Sequence, residues 1–421
     1  MRHHYLENNE RLYKVLSNIS FLLLISWIYL GFIRLYLLPG YAKYLFFIPS
    51  ALCLLIGILS LSLRVSDTFC RSLIFFYFAI VVVFQAFHVI LLNLDIKIAL
   101  YGISLYQLPF FILAVSPLLA KKSYVESLAK ILYYSIFPNL ILCILQTYSA
   151  KSSFVRSTND FGQLGTTSGF TRAYGTFSST SGFSLYILII FSFAMASNSY
   201  LFSKFRSLAT SLVLIMILIS GSRTVIFSVL QVIIFGFLIR NTNLNRKTRI
   251  KSNQIIALVI SAFFTVTFFG NTLSAFLNRF LEASQQENTI KRIVNQATGQ
   301  GSVSKIDIFG SGLASRCVGT FDYYIFAGWI ESEIPRILTE SGIILGVLLI
   351  LLRYFILFKL IIMVRKKIIE QSKLSIYLVS VITPYLIYGS VFGQGTISVG
   401  TLLCIFIILI IIKENDKSKL S

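Results

Sequence analysis

The stretch from Pro335 to Ile362 reads PRILTESGIILGVLLILLRYFILFKLII, and from Gly342 onward only Arg353 and Lys359 are charged. A helix that crosses a membrane needs roughly 20 mostly apolar residues. Similar apolar stretches recur along the chain, with approximate bounds 19–38, 44–63, 72–92, 98–119, 128–149, 181–200, 207–221, 224–239, 254–273, 335–362, 375–392 and 396–412. The pattern predicts an all-α integral membrane protein, a polytopic bundle of about 12 transmembrane helices.

The overall composition favours the same class of protein. Of the 421 residues, 56% are hydrophobic and 13% are charged, whereas about 25% are charged in a typical soluble domain. A soluble protein of this length has too little interior to bury so much apolar surface, but a bilayer accepts apolar side chains on the outside of the fold. The first apolar run has no small-residue cleavage pattern, so we interpret it as a retained helix and not as a signal peptide.

The net charge of +21 first suggests a nucleic-acid partner, but the basic residues form short clusters between apolar stretches, without a stripe of interleaved aromatic residues. Such clusters are typical of cytoplasmic loops of membrane proteins. With a cytoplasmic N-terminus, 22 of the 37 basic residues lie on the cytoplasmic side. They are Arg2, Arg11, Lys14, Arg64, Arg71, Lys121, Lys122, Lys130, Lys204, Arg206, Arg240, Arg246, Lys247, Arg249, Lys251, Arg365, Lys366, Lys367, Lys373, Lys413, Lys417 and Lys419. The alternation predicts twelve spans with both termini in the cytoplasm.

Two long polar segments then fall on the outer side of this single membrane domain, which comprises residues 1–421. The first outer loop is 150–180, and the large outer loop is 274–334, between the ninth and tenth predicted helices. The five Cys and three His residues form no paired spacing or cluster, so no disulfide and no metal site is predicted.

Two outer motifs place an arginine among small residues. Arg172 lies within Gly169 to Phe177, just before a predicted helix, and Arg223 lies in Ser220-Gly221-Ser222-Arg223, where a tight turn would lift it to the outer surface. A guanidinium presents a rigid fork of donors that suits phosphate oxygens. The alternative is that each arginine reaches lipid headgroups.

A third motif ends the large outer loop. Phe309 to Arg316 contains two glycines, and Glu333, Arg336 and Glu340 follow at spacings of three and four, which place them on one face of a helix. That face is expected to point into the bundle, because ionised groups avoid lipid. Two interpretations stay open: a structural ion pair, or a carboxylate that takes a proton from a substrate hydroxyl.

These three places, in this order, resemble the O-antigen polymerase and O-antigen ligase family of bacterial membrane glycosyltransferases. The resemblance is carried by Arg172-Ala173-Tyr174-Gly175-Thr176-Phe177, Ser220-Gly221-Ser222-Arg223, Phe309-Gly310-Ser311-Gly312-Leu313 and Glu340-Ser341-Gly342-Ile343-Ile344-Leu345-Gly346. The number of predicted helices, their orientation and the placement of the loops agree with the family over nearly the whole chain.

The resemblance implies a substrate and a location. Family members act on undecaprenyl-diphosphate-linked glycans at the outer face of the bacterial inner membrane, where outward arginines engage the diphosphate. Arg172 and Arg223 would take that role here. Ligases of the family carry a histidine in the large outer loop, and this chain has none there. The favoured function is therefore polymerisation of O-antigen, capsule or exopolysaccharide.

The chemistry requires a base to accept a proton from the attacking hydroxyl. Glu333 is the first candidate, and Glu331 and Asp322 are the alternates. Arg316 and Arg336 are expected to bind substrate or to hold the loop, and Glu340 belongs to the same candidate site. No metal, nucleotide or other cofactor is expected, because the diphosphate already activates the donor.

Two rival functions remain at this point. One is a ligase that transfers finished chains to lipid A core, and the other is a flippase or transporter of lipid-linked sugars. A transporter more often shows related halves and charges near the midplane, whereas Arg353 and Lys359 are expected to snorkel toward the cytoplasmic side. The expected partners are the lipid-linked oligosaccharide, membrane lipid and a chain-length regulator protein, without nucleic acid.

Overall fold

The computed structural model describes most of the predicted helices but not every loop. The described residues are 2–38, 55, 58–59, 68–115, 122–148, 166–167, 170–171, 173–177, 179–196, 200–220, 225–226, 228–234, 307–317, 330, 333–366, 373–387, 389, 391, 400–401, 403–405 and 407–411.

The described part of the chain is helical. Its helices are α1 (Arg2–Phe32), which continues into a π-helical turn at Ile33–Leu37, α2 (Thr68–Leu91), α3 (Ile96–Val115), α4 (Lys122–Tyr148), α5 (Thr180–Ala196), α6 (Tyr200–Lys204), α7 (Arg206–Ile219), α8 (Glu333–Lys366) and α9 (Lys373–Ile387). Two very short strands, β1 (Thr166–Thr167) and β2 (Phe170–Thr171), pair antiparallel between α4 and α5. Further helical residues lie within 225–234 and 400–411.

The predicted all-α class is confirmed for these residues. The largest difference in bounds is at α1, which begins at Arg2 although its apolar stretch begins near residue 19. The polar residues before that stretch include no glycine or proline that would end the helix. α7 ends at Ile219, next to the predicted break at Ser220. The predicted helix at 254–273, most of the one at 44–63 and most of the large outer loop lie outside the described residues.

By length and composition, two of the described helical segments are long and apolar enough to cross a membrane: Ser123–Tyr148 and Glu333–Val364. Each carries an exposed apolar stripe with helical spacing. The stripes consist of Tyr134, Phe137, Ile141, Leu145 and Tyr148 on α4 and of Ile344, Leu348, Leu351, Phe355 and Phe358 on α8. Outward-facing apolar patches of this extent mark a surface that meets a partner or a lipid phase.

The described helices pack around two main apolar cores, and a small third cluster consists of Leu94, Ile98 and Ala99. The larger core surrounds α5, whose residues 182–194 are all buried, as expected for a helix that is apolar on every side. The smaller core lies between α2, α3 and the beginning of α8. It also includes Leu313, Ala314 and Cys317 from the segment that precedes α8, so this part of the large loop packs into the bundle.

α8 is interrupted near its beginning. Gly342 has φ 73° and ψ 178°, so the helix divides into a first part at 333–341 and a long apolar part at 343–366. Gly342 lies in the left-handed half of φ space, which glycine enters without a steric penalty. The three charged residues predicted to share a face all lie in the first part.

Candidate functional site

The site is built on the first part of α8, where three charged side chains are buried together. Glu333, Arg336 and Glu340 are each at most 2% exposed. Arg336 Nη2 lies 2.6 Å from Glu333 Oε2, and Arg336 Nη1 lies 2.7 Å from Glu340 Oε2. The predicted shared face is confirmed, and Arg336 is the cation between two carboxylates.

Glu340 is the residue on which the preceding turn is anchored. Its Oε2 accepts hydrogen bonds from the Tyr106 hydroxyl at 2.6 Å and from the Ala314 amide at 3.0 Å, in addition to Arg336. Its Oε1 accepts from the Arg316 amide at 2.9 Å and, weakly, from the Cys317 thiol at 3.5 Å. A carboxylate that accepts this many bonds is occupied on both oxygens, so Glu340 is a structural anion.

The backbone amides of the turn from Gly310 to Cys317 donate to acceptors of the protein itself. The amides of Ser311 and Gly312 donate to the Thr339 and Glu340 carbonyls, each at 2.9 Å. The amides of residues 313–317 bond to Gln85, to Glu340 or within the turn itself. A glycine-rich loop that holds a ligand phosphate presents open amides. Here those donors are already occupied by acceptors of the protein.

Positive backbone φ angles give the turn its shape. They occur at Gly310 (70°), Gly312 (96°) and Ala314 (67°). Ala314 is the residue with a side chain in this set, and the left-handed conformation costs such a residue about 1–2 kcal/mol. The hydrogen bond from its amide to Glu340 opposes this cost, which explains how the strained conformation is maintained.

The turn crosses α8 at the interruption in that helix. A Cβ atom added at Gly310 would lie 2.4 Å from the Gly342 nitrogen, and one added at Gly342 would lie 2.1 Å from the Ile308 carbonyl oxygen. Both distances are shorter than real Cβ contacts, so the two backbones touch where neither residue has a side chain. This contact explains in physical terms why both motifs contain glycine.

Two polar side chains of α2 hold the other face of the turn. Gln85 donates through Nε2 to the Leu313 carbonyl at 3.0 Å and accepts through Oε1 from the Leu313 amide at 3.0 Å. His88 Nε2 lies 3.1 Å from the Phe309 carbonyl oxygen, and Nδ1 lies 2.8 Å from the carbonyl oxygen of Phe84. The turn is therefore held between α2 on one side and α8 on the other.

Cys317 ends the turn as a buried thiol. Arg336 Nη1 donates to its Sγ at 2.9 Å. Burial raises the pKa of the Cys317 thiol well above its ordinary value, and Arg336 opposes that shift. The neutral thiol can accept from Arg336 and donate to Glu340, so it completes the ring of contacts around the carboxylate.

Arg353, further along α8, joins the charged cluster and links it to α9. Its Nη1 lies 3.5 Å from Glu333 Oε1. Its Nε donates to the Leu386 carbonyl at 3.2 Å, and Nη2 donates to the carbonyls of Tyr385 and Gly389, each at 2.9 Å. The expectation that Arg353 snorkels is wrong, because its guanidinium is buried and caps the carboxyl end of α9. Lys359 is exposed.

A second loop anchor lies on α4 and holds the segment after Arg172. Gln146 Oε1 accepts from the amides of Tyr174 at 2.9 Å and Gly175 at 3.0 Å, while its Nε2 donates to the Gly175 carbonyl and to the Tyr36 hydroxyl, each at 3.0 Å. All four bonds are made by one buried side-chain amide. Gln146 thus fixes the backbone of the motif Ala173 to Phe177.

Asn139, two helical turns earlier on α4, continues this anchor. Its Oδ1 accepts from both the amide and the hydroxyl of Thr176 at 2.9 Å, and its Nδ2 donates to the Ser135 carbonyl at 3.0 Å. Ser135 in turn hydrogen-bonds with Tyr186 at 2.7 Å. The second anchor is therefore polar and uncharged throughout its described contacts.

The predicted site residues divide into two groups. Glu333, Arg336 and Glu340 form the buried cluster, and Arg316, which is half-buried, joins it through its backbone. Arg172, Arg223, Asp322 and Glu331 lie outside the described residues. Their predicted roles remain predictions.

Several residues of the site were not identified from the sequence. They are Gln85, Tyr106, Asn139, Gln146 and Arg353, the last of which was assigned to the lipid interface. A signal was present, since the three amides stand within apolar helices, where a polar group must find a partner. The sequence does not reveal that those partners are loop backbones far along the chain.

Comparisons with known proteins add no assignment. A scan against protein-family models gives no match, and a search of curated proteins gives no significant match. Within the described residues, no group of three or more His, Cys, Asp or Glu side chains is placed to hold a metal ion.

Proposed function

We propose that this protein is a polysaccharide polymerase of the bacterial inner membrane that joins undecaprenyl-diphosphate-linked repeat units on the outer face. The observation that most supports this proposal is the buried cluster of Glu333, Arg336 and Glu340 at the start of α8, which Arg353 joins from the long apolar part of the same helix. Ionised groups in such a position are costly and mark functional sites. The cluster also joins two of the four motifs on which the family resemblance rests.

The proposal includes a bundle of twelve spans with both termini in the cytoplasm. The exposed apolar stripes of α4 and α8 support a lipid-facing surface. The two helical segments that are long enough to cross a membrane and the alternation of basic clusters in the sequence support the same architecture.

In the proposed reaction, a hydroxyl of one lipid-linked repeat unit attacks the anomeric carbon of a growing chain. The new glycosidic bond forms as the bond between that carbon and the diphosphate oxygen breaks, and undecaprenyl diphosphate leaves. The hydroxyl proton passes to a carboxylate. Arg172 and Arg223 stabilise the charge that develops on the leaving diphosphate, more strongly in the transition state than in the ground state.

The contacts of Glu333 bear on which carboxylate acts as the base. Its two oxygens face the guanidinium groups of Arg336 and Arg353, and the side chain is 1% exposed. A substrate hydroxyl reaches Glu333 only if the pair with Arg336 opens. We therefore place the base role on Glu331 or Asp322 in the outer loop and assign Glu333 to the support of the cluster.

Deletion and complementation test the proposal. Cells that lack the gene should make surface glycan with a single repeat unit, and the wild-type gene should restore the ladder of long chains on a gel. Arg172→Ala and Arg223→Ala should each abolish the ladder while the protein accumulates normally in the membrane, as measured by immunoblot. Lys97→Ala, at an exposed position, is the matched control and should leave the ladder unchanged.

Other outcomes of the same experiment identify the rival functions. Full-length chains that are not attached to lipid A core would indicate a ligase. Single repeats that fail to reach the outer face would indicate a flippase. Normal chain lengths in both arginine variants would contradict the proposed mechanism.

A further inference from the structure

His88 is a titratable side chain enclosed between α2 and the turn from Gly310 to Cys317. It is fully buried and belongs to the last turn of α2. A Cβ atom added at Gly312 would lie 3.5 Å from His88 Cδ2, so the ring covers the backbone of the turn. The proposed reaction gives this histidine no role. The contacts of its two ring nitrogens indicate one.

Both ring nitrogens of His88 face carbonyl oxygens. Nδ1 lies 2.8 Å from the Phe84 oxygen. Nε2 lies 3.1 Å from the Phe309 oxygen and 3.3 Å from the Gly310 oxygen. A carbonyl oxygen can only accept, and a neutral imidazole carries a single N–H, so either neutral tautomer would place a nitrogen lone pair against a carbonyl oxygen. The imidazolium carries two N–H groups and donates at both positions.

The surroundings of the ring favour a positive charge in two further ways. The last turn of a helix carries the negative end of the helix dipole, which stabilises a cation there. The rings of Phe84 and Phe87 lie beside the imidazole, with centroid distances of 4.3 Å and 5.4 Å. An aromatic ring attracts a cation at such distances. Burial acts against the charged form, so the carbonyl oxygens are the groups that must compensate for it.

The charged groups on the neighbouring described elements do not contact the ring. Glu340 is bonded to the turn from the α8 side, opposite His88. Between α2 and α3, Asp95 is exposed and accepts from the Lys97 amide at 2.7 Å. Asp307, which precedes the turn, is also exposed. In the described part of the chain, the imidazolium is therefore held by backbone carbonyls and not by a carboxylate.

We propose that His88 holds the turn as a doubly protonated imidazolium, and that the docking of the turn on α2 therefore depends on pH. The closed turn binds one proton more than a turn that has released the ring, so acid favours closing and a rise in pH favours release. Gln85 holds Leu313 on the same face of the turn through two bonds that do not titrate. In the proposed topology this end of α2 lies at the outer face, so the ring responds to the pH on that side.

The turn connects the ring to the rest of the candidate site. At its other end, the Arg316 carbonyl accepts from the Ile330 amide at 3.2 Å. Ile330 is followed directly by Glu331, a candidate base in the outer loop. The docking of the turn thus bears on the segment that carries the candidate base. The inference does not depend on the proposed function, because protonation and docking are both measured without substrate.

Magnetic resonance of isotope-labelled histidine tests the protonation state in the purified full-length protein. The chain has three histidines, so His3→Gln together with His4→Gln leaves His88 as the single signal. The chemical shifts of the ring nitrogens distinguish the imidazolium from each neutral tautomer. We expect both nitrogens to be protonated at about pH 6, whereas a buried imidazole without these acceptors is expected to be neutral. A neutral tautomer at that pH would overturn the inference, and His88 itself is unchanged in this test.

Hydrogen exchange of the turn amides measures the docking. The amides of residues 311–317 are all bonded in the closed turn, so their protection, corrected for the intrinsic pH dependence of exchange, reports closing. In the wild-type protein, protection should fall about tenfold between about pH 5.5 and pH 8, as expected for the loss of one hydrogen bond to a charged group. This range lies below the ordinary titration of a cysteine thiol, so Cys317 does not contribute.

His88→Gln separates titration from packing. Glutamine still donates to a carbonyl of the turn but has no proton to lose in this range, so protection should be lower than in the wild-type protein at pH 5.5 and independent of pH. Lys97→Ala, at an exposed position, is the matched control and should reproduce the wild-type profile. Constant protection in the wild-type protein, or an unchanged pH dependence in His88→Gln, would overturn the proposed role of His88.

Discussion

Two loop segments are held against the helices by side chains of different chemistry, which we call the uncharged anchor and the charged anchor. On α4, Gln146 and Asn139 hold the segment from Tyr174 to Thr176 through uncharged amide groups. On α8, Glu340 holds the turn from Gly310 to Cys317 through a carboxylate that itself requires Arg336. The uncharged anchor is a set of separate hydrogen bonds. The charged anchor is a unit whose members depend on one another, so its parts should respond more strongly to substitution.

Arg336→Ala should produce the largest effect. This change removes the charged partner of Glu340 and leaves Glu333 paired with the more distant Arg353. Breaking a buried ion pair in this way costs about 3–5 kcal/mol. The free energy of unfolding, measured by reversible titration with a denaturing detergent, should fall by that amount. Arg336→Lys should lose less, since it keeps the charge. A loss below that of the uncharged anchor would contradict the proposed dependence among the charged residues.

Gln146→Ala should produce a smaller effect on the uncharged anchor. It removes the partner of the Tyr174 and Gly175 amides, and a buried amide left without an acceptor costs about 1–3 kcal/mol. Gln146→Glu sharpens the comparison, because a carboxylate still accepts from both amides but cannot donate to the Gly175 carbonyl. The same detergent titration measures both variants. Equal stability of Gln146→Ala and the wild-type protein would show that this side chain does not anchor the segment.

The smallest effect concerns the pH dependence of the charged anchor. The pKa of Cys317 is raised in the folded state, so the contribution of its neutral thiol is fully present below the pKa of the unfolded thiol, about 8.5, and declines as pH rises above it. Stability of the wild-type protein should therefore decrease between roughly pH 8 and pH 10 more steeply than that of Cys317→Ala. Detergent titrations at a series of pH values compare the two proteins. Parallel pH profiles would exclude Cys317 as the titrating group.

The helices were predictable because each depends on local features. Apolar length placed α8 close to its observed bounds, and the break at Ser220-Gly221-Ser222-Arg223 placed the end of α7. α4 begins at Lys122, before its predicted start at 128, and the interruption of α8 at Gly342 was not predicted. Spacing alone placed Glu333, Arg336 and Glu340 on one face, because the helical repeat determines which side chains are neighbours. The start of α1 was missed because the apolar window gave no weight to polar residues that also favour a helix.

The partners of the buried polar groups were not predictable in the same way. Gln85 contacts Leu313, which lies 228 residues further along the chain, and no local pattern encodes a separation of that size. The predicted position of the Arg353 side chain was wrong for a related reason. A charged side chain in an apolar helix can reach the lipid interface or bind a buried polar group. Arg353 binds buried carbonyl groups at the end of α9.

Gln85 and Glu340 hold the turn from Gly310 to Cys317 on opposite sides, and this has a consequence for how the chain folds during its synthesis. Gln85 and Glu340 are separated by most of the sequence. The helices α2 and α3 are therefore synthesised long before the turn that contains Leu313, the hydrogen-bond partner of Gln85. Gln85 Nε2 also donates to the Ala99 carbonyl on α3, but until Leu313 has been synthesised the Oε1 atom of Gln85 must be served by water, lipid headgroups or a chaperone. Truncation before residue 313 would therefore leave the early hairpin of α2 and α3 without its contact to the turn, and such nascent chains should be preferred targets of membrane proteases.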